Sequence, residues 1–195
     1  MEDYVWILDS LPQGRPDAPP HRREPVAYGI GETQFTLLEL IPKSDAMIGV
    51  GERVYVGKDP ALRDKIAKVK GRINFDQLTN AAQSELQYVL VEMVKKHEDR
   101  FVKFFNEAPP ISTRYHSLEL LPGLGKKTMQ GMIDERKKGP FTSFQDMVAR
   151  VHALHAPEKL VAHRIALELS NPTEKYHLFA RPPVQEPAGR PPMRR

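Results

Sequence analysis

The chain has 195 residues, of which 40% are hydrophobic and 28% charged, and this composition predicts a folded protein of one large domain or two small ones. The absence of cysteine excludes disulfides, iron–sulfur ligation and a thiol nucleophile. No window reaches the roughly 18 uninterrupted apolar residues that a membrane-spanning helix needs. Because the first eleven residues also lack the features of a secretory signal, we expect a cytoplasmic protein without membrane contact.

The net charge of +4 is distributed unevenly along the chain. Residues 1–110 carry 15 Lys and Arg against 17 Asp and Glu, residues 111–180 carry 10 against 7, and residues 181–195 carry 4 against 1. The basic excess is therefore C-terminal. It suits a partner that carries phosphates, and at this magnitude a solvated basic face explains it about as well.

The N-terminal part of the chain predicts a small antiparallel β-barrel. Short β-branched or aromatic runs, separated by glycine turns, lie at residues 4–8, 26–30, 35–41 and 53–56. Between the first two runs, residues 12–25 hold five prolines and predict a long exposed loop.

Five aromatic residues fall in this predicted barrel: Tyr4, Trp6, Tyr28, Phe35 and Tyr55. We expect most of them in the core. If the barrel binds single strands, one or two of Tyr28, Phe35 and Tyr55 face outward, where bases can stack on them. The acidic balance of this half makes it a poor electrostatic partner for nucleic acid, so a protein contact is the equal alternative.

A helical connector is predicted for residues 59–110. Its first three apolar residues lie at helical spacing: Leu62, Ile66 and Val69. One apolar stripe then continues through residues 78–105, with a break expected near His97. The prolines at 109 and 110 end the helical segment, because proline lacks the backbone donor and restricts the residue before it.

Residues 117–136, with the sequence SLELLPGLGKKTMQGMIDER, predict a short helix, a glycine hairpin and a second helix. Glycine permits positive φ and close backbone approach, so the amides of residues 123–126 can converge on an anion at the positive end of the second helix. Lys126 and Lys127 oppose the dipole of their own helix and are better explained by an external phosphate. Leu124 is expected to anchor the turn to the core.

In residue type and spacing, residues 120–151 resemble the helix-hairpin-helix motif, a sequence-independent reader of nucleic-acid backbones. The shared features are the proline before the first glycine, the Gly-apolar-Gly turn, Lys-Lys-Thr, and Gly-Pro-Phe followed by Ser-Phe-x-Asp. Met129 departs from the pattern, because the family usually has a small residue there. The resemblance implies phosphate contacts, sometimes assisted by a monovalent cation held by carbonyls, from Gly123, Leu124, Gly125, Lys126 and Lys127.

A second hairpin is expected after Val151, because the motif usually occurs in pairs. Residues 152–169 have the apolar pattern of the motif but contain no glycine. We therefore expect a degenerate, structural partner, in which side chains rather than amides contact phosphate. The candidate side chains are Lys159, His163 and Arg164.

A wider set of segments is similar to a family of small, mainly archaeal proteins of unknown function. The segments are TLLELIPK at 36–43, GERVYVGK at 51–58, FDQLTNAAQSELQYV at 75–89, FVKFFNEAPPISTR at 101–114 and LELLPGLGKK at 118–127. That family pairs a barrel resembling an OB-fold with a helix-hairpin-helix domain and is described as predicted nucleic-acid-binding. The resemblance brings no catalytic residues and no established substrate.

Together these observations predict an α+β protein in four parts. The parts are an OB-like β-barrel at residues 1–58, a helical connector at 59–110, an all-α helix-hairpin-helix domain at 111–178 and a disordered basic tail at 179–195.

Nucleotide and metal sites are not predicted. Gly29-Ile30-Gly31 and Gly49-Val50-Gly51 lie between strand-like runs with no helix after them, which excludes Rossmann and P-loop motifs. The plausible metal ligands are His152, His155, His163 and Glu158, but Pro157 interrupts them and no His-Glu-x-x-His occurs. No Ser-His-Asp grouping can be singled out, and we interpret the carboxylates as solvated charges along helices.

We therefore predict a non-enzymatic protein that binds the phosphate backbone of nucleic acid and needs no cofactor. RNA is slightly favoured over DNA, because the OB-like partner and the archaeal setting of the family suggest RNA handling. The alternatives are a protein-interaction adaptor, whose barrel edge accepts a strand, and an accessory subunit of a nucleic-acid-processing complex. Salt dependence of binding distinguishes the first hypothesis from the second.

Overall fold

The structure, a computed structural model, describes residues 2–16 and 19–182, so most of the predicted basic tail lies outside the described residues. Within these ranges the chain forms a curled, five-stranded antiparallel sheet and five α-helices. The strands are β1 (Tyr4–Leu11), β2 (Val26–Gly31), β3 (Leu37–Pro42), β4 (Arg53–Tyr55) and β5 (Ile66–Arg72). The helices are α1 (Asn80–Lys96), α2 (Glu98–Glu107), α3 (Lys126–Lys138), α4 (Phe144–Arg150) and α5 (Pro157–Ser170).

The sheet is a half-barrel with the strand order β4-β1-β2-β3-β5. All four strand pairs are antiparallel. The four apolar runs predicted as strands, at residues 4–8, 26–30, 35–41 and 53–56, overlap β1 to β4. Since β4 and β5 lie at opposite edges of the strand order, the curl stays open instead of closing into a full barrel.

Strand β5 replaces the first helix predicted for the connector. Its register against β3 pairs Ile66 with Pro42, Lys68 with Ile41, and Val69 with Leu40, which makes Ala67 an extra residue. The bulge allows Ile66 and Val69 to pack on the same side of the sheet, although they are three residues apart. A three-residue apolar spacing is normally helical, and this explains why the prediction of a helix here is wrong.

The long helical stripe is divided at one residue, as predicted. His97 ends α1 and precedes α2 with φ −110° and ψ 37°, outside helical geometry. The hydroxyl of Thr79 accepts a hydrogen bond of 3.0 Å from the N–H of Ala82 and so caps the start of α1. After α2, short strands β6 (Pro110–Ser112) and β7 (Tyr115–His116) form a hairpin that the sequence did not predict.

Two clusters of buried residues fill the two faces of the sheet, because successive side chains of a strand point to opposite faces. The inner cluster gathers residues from all five strands: Val5, Ile7, Ala27, Leu38, Leu40, Val54, Val56 and Ile66. The outer cluster joins Leu8 and Ile30 to buried residues of α1, α2 and α5, including Leu86, Phe101 and Ile165. The sheet and the helices of the C-terminal part therefore share one continuous core.

This outer core contains two of the aromatic residues considered for base stacking. Tyr28 is 1% exposed and Phe35 is 2% exposed, so neither presents a free ring face. Tyr55 is half-buried and packs edge-on against Tyr4, with 5.3 Å between the ring centroids. Tyr28 and Phe35 are therefore core residues, which leaves Tyr55 as the one of the three candidates for stacking that is not fully buried. A more exposed aromatic side chain is Tyr88 on α1, at 72%.

Candidate nucleic-acid interface

The predicted hairpin is a tight turn between a 3-10 helix, Ser117–Leu120, and α3. Nδ1 of His116 accepts a hydrogen bond of 3.1 Å from the N–H of Leu118, and this capping bond fixes the start of the 3-10 helix. The turn is closed where the N–H of Leu124 donates to the carbonyl of Leu121 at 3.1 Å. Gly123 has φ +90°, which explains the need for glycine at that position.

The backbone at this turn presents several free donors. In the part of the chain that the structure describes, the N–H groups of Gly123, Gly125, Lys126 and Lys127 have no hydrogen-bond acceptor. Three of them belong to the start of α3, where the first amides of a helix lack intrahelical partners. All four residues are exposed. The turn therefore aims unpaired amides at solvent at the positive end of a 13-residue helix.

Two ammonium groups lie at the same end of α3. Lys126 and Lys127 have no carboxylate partner among the described residues, whereas Lys137 and Lys138, at the other end, pair with Asp134 and Glu135. Lysine near a helix N-terminus is unfavourable for the helix itself. The first pair of lysines is therefore available for an external anion.

The turn rests on α5. Leu124 is half-buried and packs against the helical core, as predicted from the sequence. A Cβ atom built on Gly123 would lie 3.5 Å from Cδ2 of Leu160, so the side chain of Leu160 lies beside the turn. In contrast, a Cβ atom on Gly125 has no neighbouring atom within 4 Å.

A second turn joins α4 to α5 and is closed by the same type of hydrogen bond. The N–H of Leu154 donates to the carbonyl of Val151 at 2.9 Å, as Leu124 donates to Leu121 in the first turn. This turn is poorer in donors, because α5 begins with Pro157, which has no N–H, and Glu158 follows it. The second turn is therefore less suited than the first to bind an anion through its amides.

The side chains of Lys159 and His163 lie one helical turn apart on α5, and both are exposed. They flank Leu160, whose side chain lies beside the glycine turn. The structure therefore brings these two predicted side chains to the helix that supports the first hairpin.

Arg164 occupies a different position from the one predicted. It is 2% exposed and donates to the Glu168 carboxylate at 2.8 Å, to the Leu120 carbonyl at 3.2 Å and to Glu174 at 3.1 Å. A fourth acceptor is the carbonyl of Tyr176. Since its donors are used inside the protein, Arg164 is a buried structural residue, which contradicts the predicted phosphate contact.

Glu168 is also buried, at 0% exposure, although the carboxylates were expected to be solvated. Besides Arg164, it accepts hydrogen bonds from the backbone N–H groups of Leu178, Phe179 and Ala180 at 2.7, 3.0 and 2.8 Å. This carboxylate therefore fastens the segment after α5 to the helix. A signal for this buried pair is present in the sequence: Arg164 and Glu168 lie four residues apart, on a segment whose other residues at that helical spacing are apolar.

Two arginines hold α3 in place. Arg136 donates to the carbonyls of Phe105 and Ala108 at 2.9 and 3.0 Å, at the end of α2. Arg150 donates to the carbonyls of Glu135 and Gly139 at 2.6 and 2.8 Å, at the end of α3. Both contacts leave the N-terminal end of α3 unobstructed.

Residues 2–16 and 19–182 contain no group of three or more His, Asp or Glu side chains that could hold a metal ion. Over the same residues, none of the helices combines the length and apolar character needed to cross a membrane.

Comparison with known proteins identifies the family of this chain. Residues 1–181 match the family model described as "Protein of unknown function (DUF655)". Over 182 residues, the chain is 50% identical to the uncharacterised protein MJ0038 of Methanocaldococcus jannaschii, covering 93% of this chain and 81% of that protein. It is also similar to the crystal structure of Af1531 from Archaeoglobus fulgidus, with a TM-score of 0.85 and 48% identity over 92% of this chain and 100% of that chain. The chain therefore belongs to the DUF655 family of unknown function, in agreement with the resemblance to an archaeal family of that kind.

Proposed function

We propose that this protein binds the phosphate backbone of nucleic acid through the turn at residues 121–127, and that it does so without catalysing a reaction. The observation that carries the proposal is the group of free amides at Gly123, Gly125, Lys126 and Lys127. Free amides at a helix N-terminus bind anions, and the helix dipole adds to that attraction. A bound phosphate also offsets the unfavourable position of the two lysines.

The relation between the two turns supports an interpretation of residues 117–170 as a pair of helix-hairpin-helix motifs. Both turns are closed by the same type of hydrogen bond, and both lead into a helix. In this interpretation the first turn binds phosphate through amides. The second turn positions α5, which adds the side chains of Lys159 and His163.

The half-barrel is interpreted as OB-like, since OB-folds are five-stranded and partly open. The outer face of this sheet is covered by the helices, so it offers no open stacking surface. This favours the hairpin over the sheet as the nucleic-acid contact.

Contacts of this kind do not discriminate base sequence, because backbone amides and lysines meet phosphates and not base edges. We therefore expect binding that depends on the shape of the nucleic acid, with RNA favoured over DNA. A few phosphate contacts predict weak binding and a slope of log affinity against log salt of roughly −2 to −4.

The test is fluorescence anisotropy over a salt series with duplex DNA, single-stranded DNA, duplex RNA and a structured RNA. The variant is Gly125→Val, because Gly125 has φ −69° and ψ 151° and open space at its Cβ position, so the fold tolerates a side chain that blocks close phosphate approach. The matched control is Gly49→Val, in the loop between β3 and β4, where the nearest atom to a Cβ is 4.0 Å away.

We expect Gly125→Val to weaken binding by about tenfold or more and Gly49→Val to leave it unchanged. Unchanged affinity in a folded Gly125→Val protein contradicts the proposal. Binding that is insensitive to salt also contradicts it and favours the protein-interaction adaptor.

A further inference from the structure

A cleft of about 590 Å³ opens at the mouth of the half-barrel. Its apolar floor is formed by Leu38, Val56 and Val69, and these three residues belong to or pack against the inner cluster of the sheet. Gln34 and Thr36 add polar groups to the wall. The volume lies within the range of about 300–1,000 Å³ that is typical of small-molecule sites.

The rim of this cleft is strongly cationic. Four basic side chains line it: Lys58, Arg63, Arg72 and Arg181. The acidic residue among the lining residues is Glu2, whose carboxylate is engaged by the backbone N–H groups of Thr33, Gln34 and Thr36 at 2.7, 2.9 and 3.3 Å. The cleft therefore has an excess of positive charge that this carboxylate does not neutralise.

Arg72 has an unmet hydrogen-bonding requirement. Its Nε is buried and has no acceptor in the described part of the chain, while its terminal nitrogen donates to the carbonyl of Pro182 at 2.9 Å. Burial lowers the pKa of Arg72, and the charge of nearby Arg181 lowers it further. Two neighbouring guanidiniums with an unpaired buried donor are stabilised by an anion, and phosphate matches guanidinium geometry.

Arg63 is held at the rim by hydrogen bonds to the backbone. Its guanidinium donates two hydrogen bonds, of 2.9 and 2.7 Å, to the carbonyl of Gly57. This bidentate contact holds a cationic group beside the apolar floor, in the loop between β4 and β5.

We propose that this cleft binds a nucleoside phosphate, either free or as the phosphorylated end of a strand. The phosphate contacts Arg72 and Arg181, and the base covers Leu38, Val56 and Val69. Inorganic phosphate alone would leave the apolar floor uncovered.

The chain's own residues 183–195 carry three arginines and one glutamate, so electrostatic repulsion from the cationic rim disfavours them as the occupant of the cleft. The site is separate from the hairpin, and the inference does not rest on the hairpin's function.

The test is isothermal titration calorimetry of the full chain with ADP, adenosine and inorganic phosphate. Two variants test the cleft: Arg72→Gln, at a half-buried position, and Lys58→Gln, at an exposed position. The exposed substitution keeps the fold intact, so the cleft is tested even if Arg72→Gln impairs folding. The control is Lys103→Gln, which removes an exposed charge on α2.

We expect ADP to bind more tightly than either adenosine or phosphate. Arg72→Gln and Lys58→Gln should each weaken ADP binding, by about tenfold for Arg72, and the Lys103→Gln control should leave it unchanged. The proposal is overturned if ADP does not bind, if adenosine or phosphate binds as tightly as ADP, or if neither cleft variant changes the affinity.

A competition experiment then distinguishes the two sources of the ligand. A short single-stranded oligonucleotide with a 5′-phosphate and the same oligonucleotide with a 5′-hydroxyl are tested for displacement of ADP. If the oligonucleotide displaces ADP only when it carries the 5′-phosphate, and if it binds more tightly than ADP, the cleft is assigned to strand ends. If the oligonucleotide binds more weakly than ADP, the cleft is assigned to free nucleotides.

Discussion

The guanidinium of Arg164, on α5, donates a hydrogen bond of 3.2 Å to the carbonyl oxygen of Leu120, the residue before the glycine turn. The same guanidinium pairs with Glu168, which in turn accepts three backbone N–H groups of residues 178–180. One buried ion pair therefore fastens both the hairpin and the segment after α5 to a single helix. It orders the candidate interface without belonging to its surface.

Replacing Arg164 with methionine should lower the free energy of unfolding by about 3–5 kcal/mol, because Glu168 then remains buried without its cation. Urea denaturation measures this loss. The exposed Arg114→Met variant is the control and should differ from the parent by less than about 0.5 kcal/mol. An Arg164→Met protein of parental stability that no longer binds nucleic acid would instead return Arg164 to the interface.

The two glycines of the turn should respond differently to alanine. Gly123→Ala places a side chain at φ +90° and should cost about 1–2 kcal/mol of stability. Gly125→Ala places one in extended backbone with open space, so its stability should stay within about 0.5 kcal/mol of the parent. Thermal unfolding monitored by circular dichroism compares the two, and equal losses would contradict the turn geometry described above.

The two ends of α3 offer a matched test of phosphate contact. Lys126→Gln should reduce the magnitude of the salt slope of nucleic-acid binding by about 1, because one phosphate contact is lost. Lys137→Gln removes the same charge from the other end of the helix, where Lys137 pairs with Asp134 at 2.9 Å, and should leave the slope unchanged. Anisotropy titrations at several salt concentrations measure both slopes, and equal reductions would indicate a nonspecific charge effect.

We predict that Glu32 makes the free energy of unfolding depend on pH in the acidic range. Its carboxylate accepts hydrogen bonds from Arg53 at 2.9 and 2.7 Å and from Trp6 at 3.2 Å, and Nε2 of His97 lies 2.8 Å away. Burial acts to raise the pKa of Glu32, but the hydrogen bonds from Arg53, His97 and Trp6 lower it to about 2. Because the folded pKa lies below the unfolded value, the stabilisation is complete above about pH 4.5 and is lost as the pH falls toward 2.

The expected size of this effect is on the order of 3 kcal/mol. Urea unfolding between pH 2.5 and 7 should show the decline in the parent protein, and Glu32→Gln should flatten that part of the curve while lowering stability at pH 7. If the stability of the Glu32→Gln protein declines at acid pH as much as that of the parent, other carboxylates cause the decline.

Much of the fold follows from local sequence patterns. The four apolar runs overlap β1 to β4, and the helical stripe is divided into α1 and α2 at His97, near which the sequence predicts a break. Strand β5 was missed because the bulge at Ala67 gives its apolar residues a helical spacing. The bulge depends on pairing with β3, a distant segment that no local window contains.

In the candidate sites, too, some features can be predicted from neighbouring residues in the sequence and others depend on contacts between distant segments. The glycines and lysines of the hairpin are contiguous, so their chemistry could be predicted from spacing. The buried pair of Arg164 and Glu168 was missed, because charge type alone does not reveal burial. The cleft at the mouth of the half-barrel was also missed, since Lys58, Arg72 and Arg181 are distant in sequence and come together only in the folded protein.

The most direct test of the hairpin proposal is nuclear magnetic resonance of the amide groups during titration with a short RNA duplex. We predict that the largest chemical-shift changes occur at the amides of Gly123, Gly125, Lys126 and Lys127, which have no acceptor within the described protein. Those changes should diminish as salt is raised. Shifts confined to the strands of the half-barrel, with the four hairpin amides unmoved, would contradict the proposal.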